Sequence, residues 1–354
     1  MNTHDNYDAW KIQVIEYPRK ASIEERLNFL LQFAVIAPSG HNSQPWLFKI
    51  DGNKVKFIVE RSRSLEESDP SGRQLMISFG CALENLIIAA GHCGLTASVN
   101  YQPAGEGADT VLEVTMFETN YADSDHLVTC MLHRHTDRGA YKTRALNPSF
   151  VNAVMEMSSN DNMIFIIDNK NKIERLIPVV SDAQVKIMDS LPFRNELSEF
   201  VKSSYTSSKT GIPGFALGLP APVSLLASWL VKKFNLARLT LKQDEDILRK
   251  TPAYMVIATD DDEKVSWIKA GQLFERVWLN AVLHGMVCSP MAAIVQNKGC
   301  RKSLQVILDT NLKPQVFFRI GYPEKVSMPT PRFKVEDLLI NKVNASLKNT
   351  ITIS

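Results

Sequence analysis

One stretch of the chain, APSGHNSQPW, combines several groups that can bind a polar ligand. It offers a hydroxyl, an unobstructed backbone amide and two side-chain amides, at Ser39, Gly40, Asn42 and Gln44. Directed hydrogen bonds from such groups suit a polar heteroaromatic ring or a sugar chain. Trp46 is expected to anchor the loop by burial. The alternative is a simple turn whose Asn and Ser side chains satisfy their own backbone.

A second stretch, HRHTDRGAY, concentrates positive charge. Two guanidinium groups, an imidazole and a hydroxyl stand close together, at Arg134, His135, Thr136 and Arg138. Arginines form charge-assisted and often bidentate hydrogen bonds with phosphate, so this spacing indicates a phosphate clamp. The alternative is a solvated basic loop. Near the C-terminus, Arg332 in MPTPRF is framed by prolines and an aromatic residue, and it either completes the phosphate site or lies on the surface.

An internal repeat supplies the frame for these motifs. Setting Gly80 against Gly271 aligns GCALENLIIAAGHCGLTAS with GQLFERVWLNAVLHGMVCS without gaps, with five identical positions. Apolar residues recur at helical spacing, so each copy predicts a helix with a broad buried face. Strand patterns flank each helix, KVKFIVE and DTVLEVTMF in the first copy and PAYMVIAT and PQVFFRIG in the second. We therefore expect an α+β protein made of two fused copies of one unit.

The candidate motifs are not shared by the two copies. The loop around Ser39 occurs only in the first half and the arginine cluster only in the second. If the copies pack as a pseudo-dimer, one site receives both motifs, which predicts one ligand per chain. The segment SPMAAIVQ follows the second repeat helix, and its backbone amides are a weaker candidate for contacting a flat ligand.

The insert at about 191–249 has no counterpart in the first half and predicts a lid. Residues 210–231 carry no charge, which is close to the roughly 20 residues that cross a bilayer. Because prolines and glycines interrupt this segment, a mobile cover over an apolar cavity is preferred to a transmembrane or surface-lying membrane segment. Its expected hinges and apolar roof are Gly211, Gly214, Gly218, Leu219, Leu225, Leu226, Trp229 and Leu230.

Composition limits the possible partners. The 354 residues include 40 Lys and Arg against 38 Asp and Glu, so no single-sign field favours nucleic acid. Five cysteines without zinc-site spacing predict no metal and indicate reduced thiols in a cytoplasmic protein. The N-terminus has neither the basic nor the apolar region of a signal peptide. No membrane partner is expected.

Together, APSGHNSQPW, DPSGRQLMISFGCALENLIIAAGHCGL and HRHTDRGAY resemble the FMN-dependent nitroreductase superfamily, most closely its internally duplicated Acg-like branch. The resemblance covers about residues 23–333 and implies a nitroreductase-like fold with two fused repeats forming a pseudo-dimer. It implies repeats at 1–125 and 126–340, the lid insertion at about 191–249 and a C-terminal tail at 341–354. The assembly is expected to be a monomeric pseudo-dimer or a homodimer.

The resemblance also implies an FMN site. The implied cofactor-binding residues are Pro38, Ser39, Gly40, Asn42, Gln44, Arg134, His135, Thr136, Arg138, Pro290, Met291, Ala292 and Arg332. Many members carry Glu-Gly where this chain has two alanines after Met291, so a carboxylate is missing here. The family's Asn and Lys at the flavin pyrimidine edge are not evident, and Lys186 is a weak candidate.

The implied function is an FMN-containing oxidoreductase that transfers hydride from reduced flavin to a flat electrophile, a nitroaromatic or a quinone. NADH or NADPH is the expected electron donor, the partner is a small aromatic molecule, and no protein group acts as nucleophile. One alternative is a flavin-sequestering or sensing protein whose lid blocks the nicotinamide nucleotide. Another is a flavin-free scaffold with an idle arginine cluster. His41 faces either the substrate cavity or solvent.

Overall fold

A computed structural model describes residues 5–105, 107–121, 126–159 and 161–340. The tail expected at 341–354 lies outside these residues. The strands are β1 (Trp46–Asp51), β2 (Lys54–Val59), β3 (Leu95–Asn100), β4 (Thr110–Glu118), β5 (Asn162–Ile167), β6 (Val201–Lys202), β7 (Ile212–Pro213), β8 (Ala253–Thr259), β9 (Val287–Pro290) and β10 (Lys313–Gly321). The helices are α1 (Ile23–Val35), α2 (Arg73–His92), α3 (Leu127–Cys130), α4 (Pro148–Glu156), α5 (Lys170–Asp189), α6 (Leu191–Phe200), α7 (Ala227–Lys233), α8 (Leu236–Lys250), α9 (Lys264–Leu283), α10 (Ala293–Gln296) and α11 (Lys298–Leu308).

Two antiparallel four-stranded sheets have the same strand order. The first is β1-β2-β4-β3 and the second is β5-β8-β10-β9, so each runs first, second, fourth, third along its half. In the first sheet, Phe48 pairs with Phe57 on the buried face, and their rings meet edge to face at 5.0 Å. The α+β prediction is confirmed, and the matching order is compatible with the predicted duplication.

Helices α2 and α9 join the halves where the two repeat glycines meet. A methyl group on Gly80 would lie 2.0 Å from the Ile268 carbonyl oxygen, and one on Gly271 would lie 2.1 Å from that of Ile77. The two clashes are reciprocal, since each involves the residue three positions before the other glycine. The backbones therefore approach more closely than any larger residue permits, and one hydrophobic core runs through both halves.

The second sheet is covered on both faces, which explains why β8 is buried along its whole length. Alternate β8 residues face different layers, with Met255 and Ile257 in the shared core and Tyr254 and Val256 in a second core that includes residues of α5, α10 and α11. The insert follows α5 and contributes α6, the short strands β6 and β7, α7 and α8. The domain boundaries stay a prediction.

Among the described residues, α2 is the helix that is long and apolar enough to cross a membrane. Buried residues make up 78% of its most apolar stretch, because α2 packs in the core against α9. Its composition is that of a core helix. The uncharged segment 210–231 forms short strands, 3-10 turns and the start of the seven-residue α7 instead of a long helix.

Candidate functional site

The APSGHNSQPW loop follows α1 and adopts an unusual backbone. His41, Asn42 and Gln44 have φ values of 49°, 57° and 50°, in the left-handed region that non-glycine residues seldom adopt. The backbone amide of Gln44 donates to Ser39 Oγ at 2.9 Å, and Trp46 is fully buried. Such conformations persist where surrounding contacts fix them, and they concentrate at functional sites.

The side chains of Asn42 and Gln44 fasten the insert to the first half. Asn42 Nδ2 donates to the carbonyls of Gly211 at 3.0 Å and Pro331 at 2.9 Å. Gln44 Nε2 donates to the Lys209 carbonyl at 2.7 Å, while its Oε1 accepts from the Phe333 amide at 2.9 Å. Because their side-chain amides are used within the protein, both residues position the lid, and neither lines the cavity described below.

Arg134 is buried and holds the loop from behind. Its Nε lies 2.9 Å from Glu275 Oε1, its Nη2 donates to the Ile36 carbonyl at 2.6 Å, and its guanidinium lies over the Trp278 ring. A cation at the carbonyl end of α1 is favourable. Burial raises the pKa of Glu275, and the adjacent Arg134 guanidinium opposes that rise. Arg134 thus fixes the backbone just before Pro38 instead of facing the cavity.

Arg332 is also buried in this polar layer. Its Nη1 donates to Asn42 Oδ1 and to Thr330 Oγ1, the latter at 2.6 Å, and its guanidinium lies over the Trp10 ring. Burial lowers the pKa of Arg332 to about 9, and the positive charge of Arg134 adds to this. Its Nε has no hydrogen-bond partner within the described part of the chain. Arg332 thus holds Asn42, and its expected phosphate contact stays a prediction.

A cavity of about 360 Å³ lies where the two halves and the insert meet. Ligand sites commonly measure about 300–1,000 Å³. The sequence-predicted residues that line it are Pro38, Ser39, Gly40, Thr136, Arg138, Pro290 and Ala292. The first half contributes three of these and the second half four, so the structure brings together motifs about 100 and 250 positions apart.

The arginine cluster reaches the cavity because it pairs with β9. Thr136 forms a parallel bridge with Cys288, and the Asp137 amide donates to the Cys288 carbonyl at 3.1 Å. Arg138 then stands at the cavity, where its Nη1 makes a long 3.4 Å bond to the Ala216 carbonyl of the insert. This leaves a guanidinium available for an anionic ligand.

Besides Asn42, Gln44, Arg134 and Arg332, two more of the predicted residues do not line the cavity. His135 is largely buried beside Arg134, and burial followed by that positive charge lowers its pKa. The Met291 amide donates to the Phe317 carbonyl at 2.9 Å and its side chain packs on the second core. Neither residue is among those that line the cavity.

The insert roofs the cavity with a different set of residues from the one expected. Phe193, Leu197, Ile212 and Leu217 line the cavity. By contrast, Leu225, Leu226 and Trp229 are exposed on the outer side. The sequence showed an uncharged apolar segment, but its composition did not identify which side chains meet the cavity. Two of the three expected hinges are tightly packed, since a methyl group on Gly211 would lie 2.4 Å from the Phe200 carbonyl oxygen and one on Gly214 would lie 2.2 Å from Ser224 Cβ. A methyl group on Gly218 would meet nothing within 4 Å.

His41 lines the cavity and connects it to the lid. Its Nε2 lies 2.9 Å from Ser68 Oγ, which donates to the carboxylate of Glu196 on α6. The same carboxylate accepts from the amides of Glu67 at 2.8 Å and Ser68 at 2.9 Å. Burial lowers the pKa of His41 to about 4, with Glu196 raising it and Arg138 lowering it further. Sequence spacing gave no sign of this series of hydrogen bonds, because His41, Ser68 and Glu196 are far apart in the sequence.

The polar wall of the cavity comes from the start of α2 and from α10. Asp69 Oδ1 accepts from Gln296 Nε2 at 3.0 Å, Gln296 Oε1 accepts from Arg73 at 2.7 Å, and Gln74 lines the cavity beside them. Lys186, the candidate for this edge, is instead half-exposed and paired with Asp182 at 2.6 Å. The stretch DPSGRQ (69–74), which leads into α2, is the sequence feature that could have indicated this polar wall.

A second cleft of about 430 Å³ lies at the position related by the repeat. The alignment pairs Gln74 with Val265 and Ile77 with Ile268, and both α9 residues line this cleft. It has no counterpart of the Ser39 loop or of the Thr136–Arg138 segment. The two related positions therefore differ in the chemistry that they offer.

No family model matches the chain. A Mycobacterium tuberculosis protein provisionally named as an NAD(P)H nitroreductase, Rv3131, is 23% identical over 312 residues, covering 87% of this chain and 88% of the relative. The M. tuberculosis protein acg, provisionally named in the same way, is 22% identical and covers 87% and 93%. Among solved structures, the FMN- and NADPH-dependent nitroreductase NfnB from Sphigopyxis sp. strain HMH superposes with a TM-score of 0.42 and 13% identity, over 62% of this chain and 99% of that one.

Proposed function

We propose that this chain, which belongs to the Acg-like branch of the nitroreductase superfamily, is an oxidoreductase that binds one FMN in the cavity between its halves. The observation that carries the proposal is the convergence of Pro38–Gly40, Thr136, Arg138, Pro290 and Ala292 on one cavity. These residues come from separate parts of the sequence, and the resemblance implies a flavin contact for most of them.

The residues present fit the cofactor. Arg138 has one long hydrogen bond and can neutralise a phosphate, while the hydroxyls of Ser39 and Thr136 can bind its oxygens or the ribityl chain. Ile77 and Phe274 supply apolar walls for a flat ring, and Gln74 supplies an amide at its polar edge. When bound, FMN supplies hydride transfer between a nicotinamide nucleotide and an electrophile.

The chain's own residues then bind, orient and exclude water. The apolar roof formed by Phe193, Leu197, Ile212 and Leu217 would limit the contact of water with a ring bound beneath it. His41 is positioned to exchange a proton between the cavity and Ser68. We propose a nitroaromatic or quinone as the electrophile, because most of the cavity surface is apolar and its roof can contact a flat, uncharged ring.

Flavin sequestration or sensing is the second candidate, and the fastened lid favours it. Asn42, Gln44 and Glu196 all bond across the border between the first half and the insert. If the lid stays shut, a nicotinamide nucleotide has no path to the flavin.

Anaerobic reduction separates the two candidates. Under the enzyme proposal, NADH or NADPH bleaches the visible flavin absorbance within minutes, and a nitroaromatic or a quinone restores it. If neither nucleotide bleaches the flavin while dithionite does, the nicotinamide-dependent enzyme is ruled out and sequestration is supported. Protein that takes up no FMN would contradict both and favour a flavin-free scaffold.

A further inference from the structure

The outer face of the insert lies in an unusually basic part of the chain. Between positions 200 and 243 there is no Asp or Glu, although the whole chain has 38. The same stretch carries six cations, at Lys202, Lys209, Lys232, Lys233, Arg238 and Lys242. Lys232 and Lys233 are exposed at the end of α7. Lys209 and Arg238 form ion pairs with Asp337 and Asp189, so the positive charge at the exposed end of α7 comes from Lys232 and Lys233.

Large apolar side chains point outward on this same segment. Leu225, Leu226 and Trp229 are 64%, 58% and 52% exposed, and their spacing places them on one side of consecutive helical turns. The half-exposed Phe234 ring lies 5.8 Å from that of Trp229. We call these four residues the outer apolar face. A contiguous apolar surface flanked by charge marks an interaction site more often than it marks ordinary surface.

We propose that the outer apolar face docks the protein on the surface of an anionic bilayer, which departs from the expectation of no membrane partner because Leu225, Leu226 and Trp229 are exposed. Leucine and aromatic side chains enter the interface between head groups and acyl chains, while the flanking Lys232 and Lys233 attract anionic head groups. Trp229 and Phe234 suit this depth, because an aromatic ring is favourable at the boundary of the apolar layer. The charge also disfavours a second copy as the occupant, since two such faces would bring like charges together.

The docking face and the cavity are separated by a thin layer of side chains. Ala227 and Val231, on the inner side of α7, pack in a small core with Leu197 and Leu217. Leu197 and Leu217 also line the cavity. The segment that would contact the bilayer is thus the same segment that roofs the cavity, and docking does not depend on which reaction occurs below it.

Cosedimentation with lipid vesicles tests the proposal. The full chain is expected to bind vesicles that contain phosphatidylglycerol, to bind phosphatidylcholine vesicles much more weakly, and to be released by salt. The double variant Leu225→Glu/Leu226→Glu should abolish binding. Lys232→Glu/Lys233→Glu should weaken it by about tenfold or more, since each basic residue near the surface contributes about 1 kcal/mol.

The matched control is Val326→Glu/Met328→Glu, which places the same two charges at apolar residues that are 84% and 56% exposed elsewhere. It should bind as the unaltered chain does, and thermal unfolding followed by circular dichroism should show that every variant folds. Binding to neither vesicle, equal binding to both, or equal loss in the control would overturn the proposal. So would a dimer in sedimentation velocity that Leu225→Glu/Leu226→Glu dissociates, because that result assigns the face to a second copy.

Discussion

At the scale of single residues, the site separates groups that face the ligand from groups that hold them in place. Arg138 is a cation on the cavity wall, whereas Arg134 and Arg332 are buried among protein partners. The sequence pointed to all three arginines, to Arg134 and Arg138 as a cluster of charge and to Arg332 by its frame of prolines and an aromatic residue. It did not distinguish their roles, since Glu275 and Asn42 approach them only in the folded chain.

Replacing Arg138 should therefore weaken flavin binding selectively. Arg138→Gln removes a charge-assisted contact worth roughly 1.5–3 kcal/mol, so the FMN dissociation constant should rise by about 10-fold to 100-fold. Quenching of flavin fluorescence on titration measures this constant. Arg175→Gln, at an exposed arginine of α5, is the control and should leave it unchanged. Equal affinities for both variants would remove Arg138 from the site.

The buried His41 should make stability depend on pH. Its pKa is about 4 in the folded protein against 6.5 in the unfolded chain, so the unfolded state takes up the proton first as the pH falls. The stabilisation is complete above pH 6.5 and is lost progressively down to about pH 4, by roughly 1–3 kcal/mol.

Chemical denaturation at several pH values tests this linkage. His41→Asn keeps a residue that tolerates the left-handed backbone, and it should lose less stability between pH 6.5 and about 4 than the unaltered chain. His126→Asn, at an exposed histidine, should follow the unaltered chain. A His41 variant with an unchanged pH profile would contradict the assignment.

At the scale of elements, the insert is a lid held by polar contacts from the first half. The repeat predicted an unmatched insert that acts as a lid, and residues of this insert line the cavity. The lid role and the bounds of the insert stay predictions. The predicted composition of the roof was wrong. The sequence shows which residues of the insert are apolar, but it does not show which of them contact the cavity. The sequence predicted ligand contacts for Asn42 and Gln44. It could not show their actual partners, because the carbonyls that they bind, in residues 209–211 and 331, are far away in the sequence.

Loosening the anchor on α6 should open the cavity. Glu196→Gln removes the charge that strengthens three hydrogen bonds, so the lid should open more often and flavin should dissociate at least about tenfold faster. Stopped-flow capture of the released flavin measures the rate. Glu199→Gln, at an exposed carboxylate on the same helix, should leave the rate unchanged. If both variants release flavin at the original rate, the Glu196 contacts do not hold the lid.

At the scale of the whole molecule, the contact between α2 and α9 creates the cavity by fixing one half against the other. The repeat glycines were identifiable from the sequence as the point of alignment, and the structure places them at the crossing. The identical strand order of the sheets follows the same pattern. Sequence alone could not give the distance between the helices, because that distance depends on backbone approach in three dimensions.

Adding a methyl group at the crossing should force the halves apart. Gly80→Ala would bring its Cβ to 2.0 Å from a backbone oxygen. Because a helix backbone cannot shift at one residue alone, the free energy of unfolding should fall by about 3 kcal/mol or more. Gly107→Ala adds the same group where nothing lies within 4 Å and should change stability little. Equal melting temperatures for the two variants would contradict the close packing.

The flavin content of the purified protein tests the central claim most directly, because the two repeat-related positions differ in chemistry. The cavity with the Ser39 loop and Arg138 should hold FMN, and the related cleft should not. Visible absorbance calibrated against protein concentration should therefore give one FMN per chain after reconstitution with excess cofactor. Two FMN per chain, or none, would contradict a single flavin site between unequal halves.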